Sequence, residues 1–353
     1  MGRKKKAPVE FFPVEYPDEP LADDPLDQLA IDLFMQGPMP VSEICDRLLV
    51  SAGEAHELLE KLNSGGSTVE IGPHQVVMRE LGWRWWRVVL EKKSQILKRD
   101  LGQNTLVYDR IGSTNDVCMQ VAAGQATIRP LVVLADEQQQ GRGRRGHRWM
   151  AAAGQSVLMS VLLPNVGLCA EALTLAAGVA CAVAVEKLTD GQVTLKWPND
   201  LLLDGKKLAG ILIESVPGGT APEMDGGDGA GARHYVIGVG LNVRQDVMDF
   251  PEELRSRATS LLLSARHLWD RLVVIDALVE ELDLMPTRLN DPRKIADEWK
   301  ARCDMLGEPV RLLCNGVAIE GHIADIDPLN GLVVRDFVGA LHFCQAREST
   351  LLS

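Results

Sequence analysis

The chain has 353 residues, which is long for one hydrophobic core and predicts two or three domains. Hydrophobic residues make up 46% of it and charged residues 24%, as in a soluble globular protein. The sequence contains no uncharged apolar run of about 18 residues, so no membrane span is predicted. The seven cysteines are scattered without a C-x-x-C pair, which argues against a disulfide framework or a zinc site. The formal net charge of −12 disfavours a general nucleic-acid binder. We therefore expect a cytoplasmic protein.

The N-terminal part predicts a tail and then a small helical module. Residues 1–22 are basic and then rich in proline and acidic side chains, which predicts a disordered tail without an apolar signal sequence. The segment 23–88 predicts three helices and a hairpin, the order of a winged helix-turn-helix, with Ser42 capping the second helix. The expected elements are helices at Leu26 to Met35, Ser42 to Leu49 and Glu54 to Leu62, and strands at Thr68 to Ile71 and Gln75 to Met78.

The charge of this winged-helix-like module bears on whether it binds DNA. Residues 21–80 contain eleven acidic and three basic residues. The third helix, which would enter the major groove, carries Glu54, Glu57 and Glu60, and phosphates would repel it. We therefore favour a module used for packing or protein contacts and keep DNA binding as the alternative.

Three tryptophans follow the predicted hairpin: Trp83, Trp85 and Trp86 are interleaved with Arg84 and Arg87. Such a segment could stack on single-stranded nucleic acid. A simpler interpretation is a junction at which the aromatic rings bury against the next domain, and this is the interpretation we favour.

The remaining chain predicts an α+β fold. Strands and helices alternate over residues 89–304, and short strands with turns over 305–353 predict a small β-barrel. The segment from Pro217 to His234 is so rich in Gly, Ala and Asp that we expect disorder. Expected strands are Leu106 to Asp109, Leu131 to Ala135, Val157 to Leu163, Val193 to Trp197, Leu208 to Glu214 and Tyr235 to Leu241. Expected helices are Lys92 to Leu101, one capped by Ser113 and reaching Ala123, Leu168 to Leu188, Trp269 to Asn290 and Arg293 to Arg302.

A glycine-rich basic loop, Gly141 to Trp149, is the first candidate for chemistry. Gly141, Gly143 and Gly146 match the letters of G-x-G-x-x-G, but the dinucleotide fingerprint needs a helix directly afterwards, and here a strand is predicted. No Walker A sequence occurs. The arginines could neutralise a polyphosphate beside a closely approaching backbone. The alternative is a solvated basic turn.

A second candidate is a hairpin that begins at Lys196 to Asp200 and turns at Asp204-Gly205. Gly210 on the returning strand would leave room for a ligand. Lys207 would supply a compact charge for a carboxylate or phosphate oxygen. Lys207 and Asp200 could equally form a surface ion pair across the hairpin.

In chain order these segments resemble biotin–protein ligases over about residues 90–353. The matching segments are Ser113 to Asn115, Gly141 to Trp149, Lys196 to Asp200, Lys207 to Gly210 and Gly238 to Asn242. The resemblance implies a central mixed sheet with helices, as in class II synthetases, between a winged-helix-like module and an SH3-like barrel. It also implies an enzyme that makes biotinyl-5'-AMP from biotin and ATP and transfers biotin to a lysine of a biotin carboxyl carrier protein. ATP implies Mg2+, although no carboxylate cluster identifies ligands for the ion.

The resemblance also implies roles for individual residues. The biotin-binding residues would be Ser113, Thr114, Asn115, Gln138, Gly141, Arg142 and Gly210. The residues that bind ATP and the adenylate would be Arg142, Arg144, Arg145, Trp149, Lys207 and Asn242. The catalytic residues would be Lys207, Arg144 and Asp200, with Asp200 orienting or deprotonating the acceptor lysine. Short polar side chains suit an uncharged ureido ring, and a closing loop would protect an anhydride from water.

Two departures and two alternatives accompany this resemblance. His147 and the three alanines after Met150 depart from the family pattern and would change the outer contacts of the loop. A lipoate or octanoate ligase or transferase would share the sheet order but lack the basic loop, and octanoyl transfer would need a cysteine nucleophile. A biotin-sensing repressor is the other alternative, against which the acidic first module argues. The sequence allows a homodimer without requiring one.

Overall fold

The computed structural model describes residues 24–124, 128–164, 170–217 and 233–352. The predicted tail and most of the predicted disordered segment between Pro217 and His234 lie outside these residues. Among the described helices, none is long and apolar enough to cross a membrane.

The N-terminal module has the predicted order of three helices and an antiparallel pair of strands. Its elements are α1 (Pro25–Gln36), α2 (Val41–Leu48), α3 (Ala52–Ser64), β1 (Thr68–Ile71) and β2 (Val76–Glu80). The acidic surface predicted for α3 is present, because Glu57 and Glu60 are exposed.

Two predicted helix starts in this module are wrong. Ser42 lies inside α2, whose N-cap position is Pro40 and has no side-chain cap. Helix α3 begins at Ala52 rather than Glu54, because Ser51 is its cap and forms a reciprocal capping box with Glu54.

The tryptophan segment is a buried junction, as predicted. Trp85 is 7% exposed and Trp86 only 1%. The indole nitrogen of Trp86 donates to the carbonyl of Leu81, and the guanidinium of Arg271 lies 4.8 Å from its ring centroid. The rings of Trp85 and Trp86 are therefore not available as a stacking platform.

The junction also moves a predicted helix. Helix α4 (Trp86–Leu97) begins six residues before the predicted Lys92 and is followed by its C-cap Lys98, which has a left-handed backbone conformation. The predicted start is wrong because the junction and the helix overlap: Trp86, Val89 and Leu90 form the buried face of α4.

The centre of the molecule is a seven-stranded mixed sheet in the order β3-β4-β5-β9-β8-β7-β6. The strands are β3 (Thr105–Ile111), β4 (Leu131–Gln138), β5 (Ser156–Leu163), β6 (Val193–Lys196), β7 (Asp200–Leu203), β8 (Lys206–Pro217) and β9 (Arg233–Asn242). The β3–β4 pair is parallel, and the other five pairs are antiparallel. The predicted central mixed sheet is thus present.

Helices cover both faces of this sheet. They are α5 (Thr114–Gly124), α6 (Ala170–Glu186), α7 (Leu261–Ala265), α8 (Arg271–Asp283), α9 (Met285–Arg288) and α10 (Pro292–Lys300). Successive side chains of a strand point to opposite faces, so Leu131 and Val133 pack against α5, whereas Val132 and Leu134 join the core beneath α6 and α8. A fully buried helix such as α6 needs apolar residues all round, which its sequence supplies.

The long helix predicted at Trp269 to Asn290 is wrong in its bounds and continuity. Asp270 caps α8 at its start by accepting from the backbone nitrogen of Leu272. The chain then divides into α8 and α9 at Leu284, where Pro286 enters the first turn of α9 and lacks the N–H that a continuous helix would need.

The C-terminal strands form a separate antiparallel sheet in the order β13-β12-β11-β10-β14. Their bounds are β10 (Pro309–Cys314), β11 (Val317–Asp327), β12 (Gly331–Asp336), β13 (Leu341–Cys344) and β14 (Ser349–Leu351). Asn315 and Gly316 both have positive φ, as a two-residue hairpin turn between β10 and β11 requires. Closure of this sheet into a barrel stays a prediction.

Candidate active site

A cavity of about 400 Å³ opens where the basic loop meets the central sheet. It collects side chains from the start of α5, the end of β4, the loop, and the β7–β8 hairpin. Predicted site residues in its wall are Ser113, Thr114, Asn115, Gln138, Arg142, Arg144, Arg145, Trp149, Asp200, Lys207 and Gly210. Asn242 lines an adjoining cavity that shares Trp149 and Lys207 with the first. Gly141 lines neither cavity and is buried within the loop.

One end of the cavity is a network of short polar side chains. The side-chain oxygen of Gln138 accepts from the backbone nitrogen of Thr114 at 2.8 Å and from its hydroxyl at 3.1 Å. The hydroxyl of Ser160 lies 2.6 Å from the Thr114 hydroxyl and 2.5 Å from the Asn115 side-chain oxygen. Because these groups hold one another, they present fixed donors and acceptors to the cavity.

Asn115 is fixed from two sides. Its amide nitrogen donates to Glu214 at 2.6 Å. Its side chain also lies against Gly238, where an added Cβ would be 2.3 Å from the Asn115 oxygen. A glycine is therefore required at position 238 for this arrangement, which explains one residue of the Gly238 to Asn242 segment.

The first arginine of the basic loop is held by carboxylates. The guanidinium of Arg142 pairs with Asp116 at 2.5 Å and with Glu214 at 3.1 Å. Partial burial opposes its charge, but the hydrogen bonds to both carboxylates outweigh burial and raise the pKa of Arg142. The side chain therefore ties the loop to α5 and β8.

The next loop arginine has different partners. The guanidinium of Arg144 donates to the backbone carbonyls of Ala346 and Ser349, in the last segment of the C-terminal sheet. Burial and the nearby charge of Arg145 lower the pKa of Arg144, and Asp200 and Glu171 oppose this shift from a distance. Carbonyl partners orient a cation without neutralising it, so Arg144 keeps its charge beside the cavity.

The basic loop is itself a small hairpin. The backbone nitrogen of Gly143 donates to the carbonyl of His147 at 2.7 Å, and Arg142 pairs with Arg148 across the loop. Arg145 and Gly146 make the turn with φ of 52° and 80°. The next regular element is β5, so the structure confirms that the loop is not a dinucleotide-binding turn.

The indole of Trp149 packs against two glycines, which form a floor beneath it. Gly210 and Gly240 are paired across β8 and β9, and added Cβ atoms would be 3.2 Å and 2.5 Å from the indole ring. The space that Gly210 was predicted to leave for a ligand thus holds Trp149 in this structure. The indole nitrogen is buried without a hydrogen-bond partner among the described residues, which marks an unused donor in the cavity wall.

Lys207 and Asp200 form the predicted cross-hairpin pair. Their charged groups are 2.6 Å apart, and both side chains line the two adjoining cavities. Asp204 and Gly205 make the turn between them with positive φ, as predicted. The pair is therefore part of the site and not of a remote surface.

Asn242 has both ends of its side chain engaged. Its nitrogen donates to the carbonyl of Thr259 at 3.0 Å, and its oxygen accepts from Gln245 at 3.2 Å. An oxygen with two lone pairs can accept a second hydrogen bond, so Asn242 still offers an acceptor.

Sequence reasoning missed four polar residues of this region. Glu214 ends the predicted strand Leu208 to Glu214, but the sequence pattern indicated no role for it. Ser160 was detectable as a polar residue within the buried strand β5. Asp116 directly follows the Ser113 to Asn115 triplet and was therefore detectable. Glu171 lies in a helix of mostly small apolar residues, and nothing in the local sequence indicates its distant partner. No group of three or more metal-ligating side chains is found in the part of the chain that the structure describes.

Comparison with known proteins defines the class first. The sequence profile of the Biotin/lipoate A/B protein ligase family matches residues 107–224, which contain the basic loop and the β7–β8 hairpin. Biotin protein ligase from Aquifex aeolicus, solved with biotin and ATP, has a TM-score of 0.58 and 24% identity and covers 71% of this chain and 99% of its own. This likeness shows the shared fold.

Sequence relatives then define the family. The bifunctional ligase/repressor BirA of Bacillus subtilis is 33% identical over 263 residues, covering 70% of this chain and 74% of its own. The biotin--[acetyl-CoA-carboxylase] ligase of Mycobacterium tuberculosis is 36% identical over 230 residues, covering 63% and 79%. The chain belongs to the biotin–protein ligase family and is a ligase.

Proposed function

We propose that this ligase forms biotinyl-5'-AMP and pyrophosphate from biotin and ATP, and then transfers biotin to a lysine of a biotin carboxyl carrier domain. The observation that carries the proposal is the convergence of Arg144 and Lys207 on one cavity whose other end is the neutral polar network of Thr114 and Gln138. A cationic end suits phosphates and a carboxylate, and a neutral end suits a ureido ring.

The neutral end of the cavity would hold the ureido ring. Gln138 uses its oxygen for Thr114, and no hydrogen bond of its amide nitrogen is found among the described residues. That nitrogen can donate to the ureido oxygen, and the hydroxyls of Ser113 and Thr114 can bond the ring. Asn115 would support the pocket wall through Glu214.

The cationic end would activate the biotin carboxylate. In this step a carboxylate oxygen forms a bond to the α-phosphorus of ATP, the bond to the bridging oxygen of the β-phosphate breaks, and pyrophosphate leaves. Negative charge grows on the phosphate oxygens, and Arg144 and Lys207 would stabilise it. Lys207 would exchange its contact with Asp200 for one with the phosphate, while Arg145 at the loop tip would approach the departing pyrophosphate.

The second cavity would hold the adenine of ATP. Trp149 offers a flat ring and an unpaired buried N–H, and Asn242 offers an acceptor in the same cavity. For the biotin tail to lie along Gly210, the indole of Trp149 must leave the glycine floor. We therefore propose that Trp149 changes its position when the substrates bind.

The transfer step would use the carboxylate that Lys207 releases. The acceptor lysine must lose a proton before its nitrogen attacks the acyl carbon and AMP leaves. Asp200 lies beside Lys207 in the cavity wall and would orient the acceptor amine or take that proton. The loop from Gly141 to Trp149 would keep water from the anhydride until the carrier arrives.

Magnesium enters this proposal only with ATP. Protein sites for this ion often contribute one or two carboxylates and leave the other positions to phosphates and water. The residues that the structure describes contain no larger ligand group, and we assign no catalytic step to a protein-held ion.

The proposal is tested by incubating the protein with ATP, magnesium, biotin and an apo carrier domain. We expect biotin-dependent pyrophosphate release and one biotinylated carrier lysine. Pyrophosphate release that does not depend on biotin, or an unmodified carrier, would refute it.

Lipoate or octanoate in place of biotin is the alternative within the same family profile. No described cysteine lines either cavity, and burial raises the pKa of Cys118 and raises that of Cys181 to about 12. These buried thiols are poor nucleophiles. The lack of a thiol nucleophile in the described cavity walls argues against octanoyl transfer, and the neutral polar network of Thr114 and Gln138 suits the ureido ring of biotin. Biotin, lipoate and octanoate offered at equal concentrations should yield mainly biotinylated carrier.

For the N-terminal module we propose a winged-helix-like unit over residues 23–88 that packs on the catalytic domain (89–304), followed by an SH3-like unit (305–353). Glu80 pairs with Arg244 and Arg271, which ties the module to that domain. Some relatives are named ligase/repressors, but the exposed Glu57 and Glu60 on α3 would repel phosphates. We expect no specific binding to the promoter of its own gene at any salt concentration.

A further inference from the structure

A buried carboxylate lies behind the basic loop and outside the two cavities. Glu171, in the first turn of α6, is 3% exposed. Both of its oxygens accept from the backbone nitrogen of Ala346, at 3.0 Å and 2.9 Å. Burial raises the pKa of Glu171, and Arg347 and Arg144 oppose this shift by charge attraction. A buried charge with one backbone donor is costly, so its position calls for an explanation.

The residue that Glu171 holds is also a partner of Arg144. Ala346 donates its N–H to Glu171 and accepts from the guanidinium of Arg144 through its carbonyl. Ser349, one turn further on, accepts from Arg144 through its carbonyl and from the indole of Trp197 through its hydroxyl. The segment 346–349 thus joins the basic loop to the segment Lys196 to Asp200.

We propose that Glu171 is a positioning residue for Arg144. It fixes Ala346, and its negative charge favours the ionised guanidinium in a place where burial disfavours it. Arg142 needs no such support, because Asp116 and Glu214 contact it directly. The more distant carboxylate attracts the Arg144 guanidinium without occupying the donors that must reach a phosphate. This inference rests on the proposed role of Arg144 in activating biotin.

Substitution of Glu171 separates its charge from its shape. Glu171→Gln retains an oxygen that can accept from Ala346 but removes the charge, and Glu171→Leu removes both. We expect the KM for ATP in pyrophosphate release to rise about fivefold in Glu171→Gln and more in Glu171→Leu, with biotin binding in the absence of ATP unchanged. Glu186→Gln is the matched control, because Glu186 ends the same helix but is exposed and pairs with Arg302. The Glu186→Gln variant should have the same KM for ATP as the unmodified protein.

A double substitution tests the route through Arg144. On an Arg144→Ala background, Glu171→Gln should raise the KM for ATP by less than about twofold, because the guanidinium that Glu171 supports is absent. An unchanged KM in Glu171→Gln, or an equal effect with and without Arg144, would overturn the proposal. If Glu171→Leu fails to fold, the Gln variant decides alone. An inactive unmodified protein would instead refute the proposed function, so the two failures are distinguishable.

Discussion

Two arginines of the basic loop are held in opposite ways. Arg142 lies between two carboxylates, whereas Arg144 contacts backbone carbonyls and receives negative charge only from a distance. A contact ion pair anchors a side chain but cancels its charge, and carbonyl contacts orient it with the charge left in place. We infer that these two arginines have different roles: Arg142 anchors the loop, and Arg144 binds the phosphates.

We expect the largest effect from Arg144→Ala. Loss of a charge that acts in the transition state should lower the rate of biotin-dependent pyrophosphate release by about 10²- to 10³-fold, with little change in thermal stability. Arg110→Ala is the control, because Arg110 forms an exposed pair with Glu137. Equal rates for Arg144→Ala and the unmodified protein would remove the assigned role.

The second expected effect concerns Lys207. Lys207→Ala should reduce adenylate formation by about 10²-fold, because the phosphate loses one of its two proposed cationic partners. Lys206→Ala, at the exposed neighbouring position, should leave the rate within about twofold. Pyrophosphate release at saturating ATP measures both. Similar losses in the two variants would show that general charge, not position, matters.

A smaller effect is expected at the glycine floor. Gly240→Ala would place a Cβ 2.5 Å from the ring of Trp149 and should displace it, whereas Gly210→Ala, at 3.2 Å, needs only a small shift. We expect about a tenfold higher KM for ATP in Gly240→Ala and a smaller change in Gly210→Ala, from an overpacking cost of about 1–3 kcal/mol. The reverse order would contradict the observed place of the indole.

The smallest effect belongs to the anchored end of the loop. Glu214→Gln can still accept from Asn115 but loses one charge partner of Arg142, while Asp116 remains. We expect the KM for biotin to rise by roughly fivefold and kcat to stay within about twofold, as suits a half-exposed pair worth about 1 kcal/mol. Glu137→Gln is the control. A large loss of kcat would mean that Arg142 also takes part in the chemistry.

Much of this site could be predicted because its residues lie in short segments whose order is informative. The basic loop, the β7–β8 hairpin and the Thr114–Gln138 end of the cavity all follow from such segments. Contacts between distant parts of the chain could not be predicted, since neither Glu171 nor Ala346 reveals its partner in local sequence. Position 210 shows another limit: a glycine predicts free space but not whether a ligand or Trp149 occupies it.

The fold was predictable to a similar extent. Short apolar runs located most strands of the central sheet, and the Asp204-Gly205 pair marked the hairpin turn that the structure shows. Helix ends were less predictable, because the capping box of Ser51 and the break before Pro286 depend on which of several competing signals prevails. The tryptophan segment was correctly placed at a junction but incorrectly excluded from α4.

The proposed order of adenylate formation and biotin transfer is tested most directly by separating the two half-reactions. The protein is incubated with biotin, ATP and magnesium, freed of unbound nucleotide, and then mixed with an apo carrier domain without ATP. We predict that biotinyl-5'-AMP remains bound after the first step and that the second step yields one biotinylated lysine and one AMP per bound adenylate. If no adenylate is retained and the carrier stays unmodified, the proposed two-step ligase reaction is wrong.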